Sequence, residues 1–300
     1  MTSLWLPRSG CGPACLPPEG DNGRVPGWLP AVRLLRLVAA LLVAAALMPL
    51  LPGWQPGRRR LAVADRCAAT LRALGITVDV QGTLPRRGAL LVVNHISWLD
   101  IPVLLALGGI GRAAARRDDS SAPVGVRLVA KVEVGGWPVV GPLARHAGAI
   151  FIDRCRPRRL PETVRTVATA LAAGEVVAAF PEGTTTCGRA TGPFRPAMFQ
   201  AALDARATPL TDSVVVVPVR LRYRLADGTP TAHPAFIGDE TLLQSLGRVL
   251  RIRRLRVEVR VGAAIHPDAG ASRRALARLA GKAVAGEWPE WPVSPASPPA

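Results

Sequence analysis

The chain reads as an α/β protein: a largely parallel or mixed central sheet flanked by helices, preceded by an N-terminal membrane-associating helix. Three observations lead there. From about residue 76 onward, short apolar runs alternate with helix-like stretches, the pattern of strands and crossovers in one sheet. The strand candidates are continuous apolar runs, as expected of a sheet buried on both faces. Ahead of them, residues 34–51 are apolar except for Arg36, close to the roughly 20 residues that cross a bilayer.

Taken in order, residues 1–28 are rich in Pro, Gly and small polar residues and are expected to form a disordered leader. A signal peptide would carry its apolar run near the start, and this leader does not. Residues 29–60 form the membrane-associating helical segment. Arg33 and Arg36 lie at its front and Arg58, Arg59 and Arg60 follow it. Basic flanks on both sides leave orientation open by the positive-inside rule, and a span and an interfacial helix are both compatible. Residues 61–286 form the main domain. Strands are expected at 76–80, 89–93, 126–130, 149–152, 176–180, 214–219 and 255–261. Helices are expected at 101–107, 138–146, 161–173 (ended by Gly174) and 196–205. The Pro/Ser-rich stretch 287–300 is a flexible tail.

Composition narrows the partners. A hydrophobic content of 49% and a mean hydropathy of +0.24 are high for a soluble protein and point to membrane contact. The net charge of +17 favours an anionic surface or substrate. Nucleic acid is the weaker choice, because aromatics are few and no basic-aromatic interleaving or zinc-finger spacing is present. The cysteines at 11, 15, 67, 155 and 187 are odd in number, and Cys11 and Cys15 are the only close pair. They imply no disulfide framework, reduced thiols facing the cytosol, and no metal cluster at ligand spacing. Nearly all basic residues are arginine; Lys131 and Lys282 are the only lysines, which makes a lysine at a strand end conspicuous.

The most informative segment is Asn94-His95-Ile96-Ser97-Trp98-Leu99-Asp100, just after an apolar run. Imidazole takes a proton near neutral pH, and a carboxylate on its other nitrogen fixes the tautomer and stabilises the imidazolium. A spacing of five does not put two residues on one helical face. It suits a turn, with His95 in the loop and Asp100 opening a helix whose first turn accommodates Pro102. Backbone amides of this turn, or the Trp98 indole, are candidates for stabilising an oxyanion. His146, His233 and His266 have no carboxylate at a telling spacing and read as structural or surface residues.

Further blocks follow in order: Val129-Ala130-Lys131-Val132-Glu133 leading to Gly136-Trp137-Pro138; Gly148-Ala149-Ile150-Phe151-Ile152-Asp153-Arg154; Phe180-Pro181-Glu182-Gly183-Thr184-Thr185-Thr186; and Val214-Val215-Val216-Val217-Pro218-Val219. Over roughly residues 75–265 the chain resembles the glycerolipid acyltransferases, the lysophospholipid acyltransferases typified by 1-acylglycerol-3-phosphate acyltransferase. The resemblance makes residues 61–286 an acyltransferase domain. It implies acyl transfer from a thioester, acyl-CoA or acyl-carrier protein, to the free hydroxyl of a lysophospholipid, first of all 1-acyl-sn-glycerol 3-phosphate to give phosphatidic acid. His95 would be the base and Asp100 its orienter. Lys131 and Arg154 would meet the acceptor's phosphate. Glu182 would bind a glycerol hydroxyl or Arg154, Gly183 would allow close approach, and Thr184 fits the family's Ser/Thr. Pro218 would mark the acyl-donor region, and as a proline it is expected at a strand end or edge.

No metal or cofactor beyond the co-substrate is implied, and the expected place is the cell membrane with the catalytic domain facing the cytoplasm. One departure bears on the acceptor. Where many members carry Arg or Lys after the Glu-Gly-Thr/Ser block, this chain has Thr185, Thr186 and Cys187. A lyso-ornithine lipid acceptor would fit that as well. A non-catalytic protein binding anionic membranes is the reading from another class, and the His95/Asp100 pair argues against it.

Overall fold

One seven-stranded sheet organises the chain, in the order β1-β7-β6-β2-β5-β3-β4. The structure is a computed structural model and describes residues 9–18, 25–114, 125–137, 139–153, 155–207, 214–268 and 270–287. The elements are α1 (Leu29–Leu47), α2 (Pro56–Ala73), β1 (Ile76–Gln81), β2 (Ala89–Val93), α3 (Asp100–Ala114), β3 (Arg127–Lys131), α4 (Val140–His146), β4 (Ile150–Ile152), α5 (Leu160–Ala172), β5 (Val176–Ala179), α6 (Phe199–Arg206), β6 (Val215–Leu225), α7 (Leu242–Leu250), β7 (Leu255–Val261) and α8 (Arg273–Ala285). All seven expected strands are present. Helices α2, α7 and α8 were not expected, and the boundary placed at 60/61 falls inside α2.

Strand β2 shows why the strands are uniformly apolar. All five of its residues are fully buried. Ala89, Leu91 and Val93 enter a core shared with α2, α3 and α7. Leu90 and Val92 enter a second core shared with α5, α6 and α8. Each buried aliphatic side chain stabilises by about 1.5–3 kcal/mol, so both faces of the strand are held.

Pairing is parallel throughout except between β6 and β7. The carboxyl ends of β2, β5, β3 and β4 therefore collect at one edge of the sheet, the edge at which open α/β sheets bind ligands. Pro218 corrects the expectation of a strand end. It lies within β6, an interior strand, opposite Val92 of β2. Its carbonyl accepts the Gly262 N–H at 2.8 Å, and having no N–H it returns no bond. The antiparallel ladder stops at Val219↔Val261, and pairing resumes only at Val216↔Ile265. A proline is tolerated there because the partner chain has already bulged away.

Residues 9–18, expected to be part of a disordered leader, pack on the domain. A 3-10 turn at Pro13–Cys15 lays Cys11, Cys15 and Leu16 against the first core. Average composition hid these three anchors among the prolines and glycines.

Helix α1 packs on α2 and α7. Arg33, only 5% exposed, donates to the carbonyls of Leu250 (3.0 Å), Ile252 (2.5 Å) and Arg253 (2.7 Å). The opposite flank is bare: Leu35 is 69% and Leu42 64% exposed, with Trp28, Leu34, Val38 and Val43 beside them in sequence. The stretch Leu29–Gly53 has a mean hydropathy of 2.4 and is long and apolar enough to cross a membrane. A bare apolar flank of this size marks a surface for lipid or a partner.

Candidate active site

The site grows from the end of β2. Asn94 closes the strand: its side chain donates to the Leu221 carbonyl (3.1 Å) and accepts the Leu221 N–H (2.7 Å), tying β2 to β6. The chain then turns through His95 to Asp100, the first residue of α3. Asp100 is fully buried and folds back on the turn. Its Oδ2 accepts the N–H of Ile96 (2.7 Å) and of Ser97 (2.9 Å), and lies 2.8 Å from His95 Nδ1. Its Oδ1 accepts the Tyr223 hydroxyl from β6 at 2.5 Å. With donors on both oxygens, the carboxylate assigns the ring proton to Nδ1 and leaves Nε2 as the nitrogen able to accept one. Burial and the neighbouring Asp100 charge push the Tyr223 hydroxyl well above its ordinary range, so it stays a donor.

The imidazole is held from a second side. It stacks on Phe180 at the end of β5, with centroids 4.0 Å apart and planes at 15°. The backbone of His95 is clamped by the loop that follows Phe180. Glu182 Oε1 accepts the His95 N–H at 2.8 Å, and the His95 carbonyl accepts the Thr186 N–H at 2.8 Å. Glu182 Oε2 accepts the Gly192 N–H at 2.8 Å. A Cβ at Gly192 would sit 3.0 Å from that oxygen, so glycine is what lets the backbone approach. Gly183 closes the Phe180–Gly183 turn with its N–H on the Phe180 carbonyl (3.1 Å) and a φ of 79°, a conformation natural to glycine.

Glu182 is thus placed differently from the expectation that it meets a glycerol hydroxyl or Arg154. Both of its oxygens face backbone N–H groups, and it is only 5% exposed. Burial pushes its carboxyl up to about 7, against the pull of those two N–H groups and with the charge of Asp100 adding to the rise. The Trp98 indole is likewise engaged, donating to Ser245 Oγ of α7 at 3.2 Å. The N–H groups of residues 95, 96 and 97 all point to Glu182 or Asp100. These three amides are therefore committed to carboxylates and are not oxyanion donors.

Other expected residues fall around the same edge. Lys131 ends β3 and is exposed. Arg154 lies outside the described residues. Thr184 lines a pocket of about 500 Å³ with Glu182 and Thr186. Pro218 pairs with Val92 two positions before the Asn94 bridge. A second pocket, of about 240 Å³, opens at the ends of β3, β4 and β5, lined by Val129, Ile152, Asp153, Phe180, Gly183 and Arg195 among others. Sequence reading missed Tyr223 and Arg195. Tyr223 lies 123 residues from Asp100 and no local spacing announces it.

A family model described as Acyltransferase matches residues 75–222. The chain is 40% identical over 265 residues to a lyso-ornithine lipid O-acyltransferase of Pseudomonas aeruginosa, covering 85% of this chain and 91% of that one. It is 32% identical to a 1-acyl-sn-glycerol-3-phosphate acyltransferase of Neisseria meningitidis, covering 76% and 80%. Among solved structures, the 1-acyl-sn-glycerophosphate acyltransferase of Thermotoga maritima shares the fold, with a TM-score of 0.56 at 17% identity over 85% of this chain and 94% of that one.

Proposed function

Since the chain belongs to the acyltransferase family and is an acyltransferase of the lysophospholipid type, we propose that it transfers an acyl group from a thioester to the free hydroxyl of a lyso-ornithine lipid, with His95 as base. In this reading His95 Nε2 takes the proton of the acceptor hydroxyl as that oxygen attacks the thioester carbon. The imidazolium is stabilised by Asp100, and the thiol of acyl-CoA or acyl-carrier protein leaves with the proton. The supporting observation is the joint immobilisation of His95 by Asp100, Phe180 and Glu182, which holds one ring nitrogen free at the ligand-binding edge.

The loop after Glu182 supports this choice of acceptor. The Thr185 hydroxyl donates to the Phe236 carbonyl, and the Thr186 hydroxyl lies 3.4 Å from the His95 carbonyl. Thr185 and Thr186 supply scaffold and no charge, and the next basic residue of the loop is Arg189, in the 500 Å³ pocket. Among the described residues the adjacent 240 Å³ pocket is lined by one carboxylate, Asp153, which also accepts the Cys155 N–H and pairs with Arg156, and one guanidinium, Arg195. That pairing suits an ammonium and a carboxylate on one head group better than a phosphate dianion. The relative with 40% identity carries the matching name.

A second reading, acylation of 1-acylglycerol 3-phosphate, draws on the net charge of +17 and the Neisseria relative. Free thiol release measured with both acceptors side by side separates them. The proposal expects kcat/KM at least about tenfold higher for lyso-ornithine lipid. The reverse preference establishes the second reading. Thiol release that needs no lysolipid overturns both.

The bare flank of α1 lies in the lipid interface in this proposal, with the catalytic domain on the cytoplasmic leaflet. Arg33, bonded into the domain, favours a helix lying along the surface over one standing across the bilayer.

A further inference from the structure

The sulfurs of Cys11, Cys15 and Cys187 all lie within 4.8 Å of one another. Two come from the leader and one from the loop that clamps His95. Among the described residues this is the only group of three His, Cys, Asp or Glu side chains converging so closely. The sequence offered only a Cys-x3-Cys pair; the third ligand arrives from 172 residues away.

We infer that these three cysteines form a zinc site that fastens the leader to the catalytic loop. Tetrahedral zinc thiolates have Zn–S bonds of about 2.3 Å, which sets sulfurs roughly 3.8 Å apart. The observed sulfurs, all within 4.8 Å of one another, exceed that spacing by at most about 1 Å. Soft thiolate ligands select a soft or borderline ion, and zinc adds no redox chemistry. Binding converts three thiols to thiolates, releases three protons, and leaves the fourth position to water.

Two further observations support the inference. The Cys187 N–H donates to Cys11 Sγ at 3.3 Å, so the backbone of the loop holds the leader's sulfur beside its own. The leader is docked independently as well, with Arg189 donating to the Cys15 carbonyl at 3.4 Å. The consequence reaches the site. Ser9, Gly10 and Cys11 form one wall of the 500 Å³ pocket whose other walls include Glu182, Thr184 and Thr186. A metal here would fix that wall and, through Thr186, the carbonyl of His95.

The site does not depend on the acceptor's identity, and its test does not read activity. Full-length protein, purified in detergent with reductant and stripped by chelator, is titrated with Co²⁺ and then Zn²⁺. The expected result is a sulfur-to-cobalt charge-transfer band that saturates at one equivalent and is displaced by zinc. Cys11→Ser, Cys15→Ser and Cys187→Ser should each weaken binding by at least about tenfold, while the exposed Cys155→Ser binds as wild type. Hydrogen exchange of residues 9–18 should slow on adding zinc. Absence of the band, binding by the three variants as tight as wild type, or a Cys11–Cys187 disulfide that persists in reductant would overturn the inference.

Discussion

Glu182 accepts the backbone N–H of His95 at 2.8 Å, across 87 positions of sequence. A motif glutamate at the carboxyl edge of the sheet invites a role on the ligand. Its geometry makes it a positioning residue instead: it sets where the histidine backbone lies, and Asp100 sets how the ring turns.

That division gives a pH-dependent signature. Folded Glu182 titrates at about 7 against an ordinary 4.5, so between those values the native state holds a proton that the unfolded state has lost. Stability relative to Glu182→Gln is therefore highest below 4.5, declines as pH rises to about 7, and is level above. The whole difference is on the order of 3 kcal/mol. Urea unfolding of both proteins at several pH values checks it; parallel curves would contradict the burial argument.

His95→Ala should lower kcat by about 10²–10⁴-fold with the fold intact, since it removes the proton acceptor. Asp100→Asn should cost less than that, because a neutral amide whose oxygen still faces His95 Nδ1 keeps the tautomer and removes only the charge that stabilises the imidazolium. An asparagine can turn its NH₂ toward the Tyr223 hydroxyl and keep its oxygen on the Ile96 and Ser97 N–H groups, so its melting transition should shift little. Single-turnover rates alongside thermal melts separate chemistry from folding.

Tyr223→Phe leaves Asp100 Oδ1 without its buried donor. The expected cost is about 1–3 kcal/mol of stability, with a smaller loss in kcat than His95→Ala. Chemical denaturation and steady-state rates on the same preparation test this.

Arg33→Met should free α1 from the domain by stripping the donor from three backbone carbonyls. A destabilisation of about 3 kcal/mol is expected, together with faster hydrogen exchange in residues 250–253. Unchanged exchange there would show that α1 is held by its apolar contacts alone.

Leu35→Gln with Leu42→Gln alters only the bare flank of α1. Membrane affinity should fall by about tenfold per site, following the apolar area withdrawn from lipid, while activity on detergent-solubilised acceptor is retained. Vesicle sedimentation at high salt, which screens the basic surface, gives the measurement.

Much of this was legible in sequence because it is local. The seven strands announce themselves as unbroken apolar runs, and His95 and Asp100 stand five apart across one turn. Helix α7 was legible too: Thr241 and Gln244 form a capping box, a signal written in four consecutive residues and overlooked beside the stronger strand pattern. Helix α2 was obscured by its arginines, which lower its mean hydropathy though Val63, Ala64 and Leu71 still line one buried face.

The sequence by itself determined the α/β class, the order of the strands along the chain and the histidine–aspartate pair, since periodicity and short spacing act between near neighbours. Only the tertiary structure decided the order of strands in the sheet, the Tyr223 bond to Asp100, the Glu182 clamp on His95, the burial of Arg33 and the meeting of Cys11 and Cys15 with Cys187. Each of the four side-chain meetings joins residues 87 or more positions apart. Such contacts follow from how parallel strands stack their carboxyl ends along one edge, and no local pattern of residues encodes that.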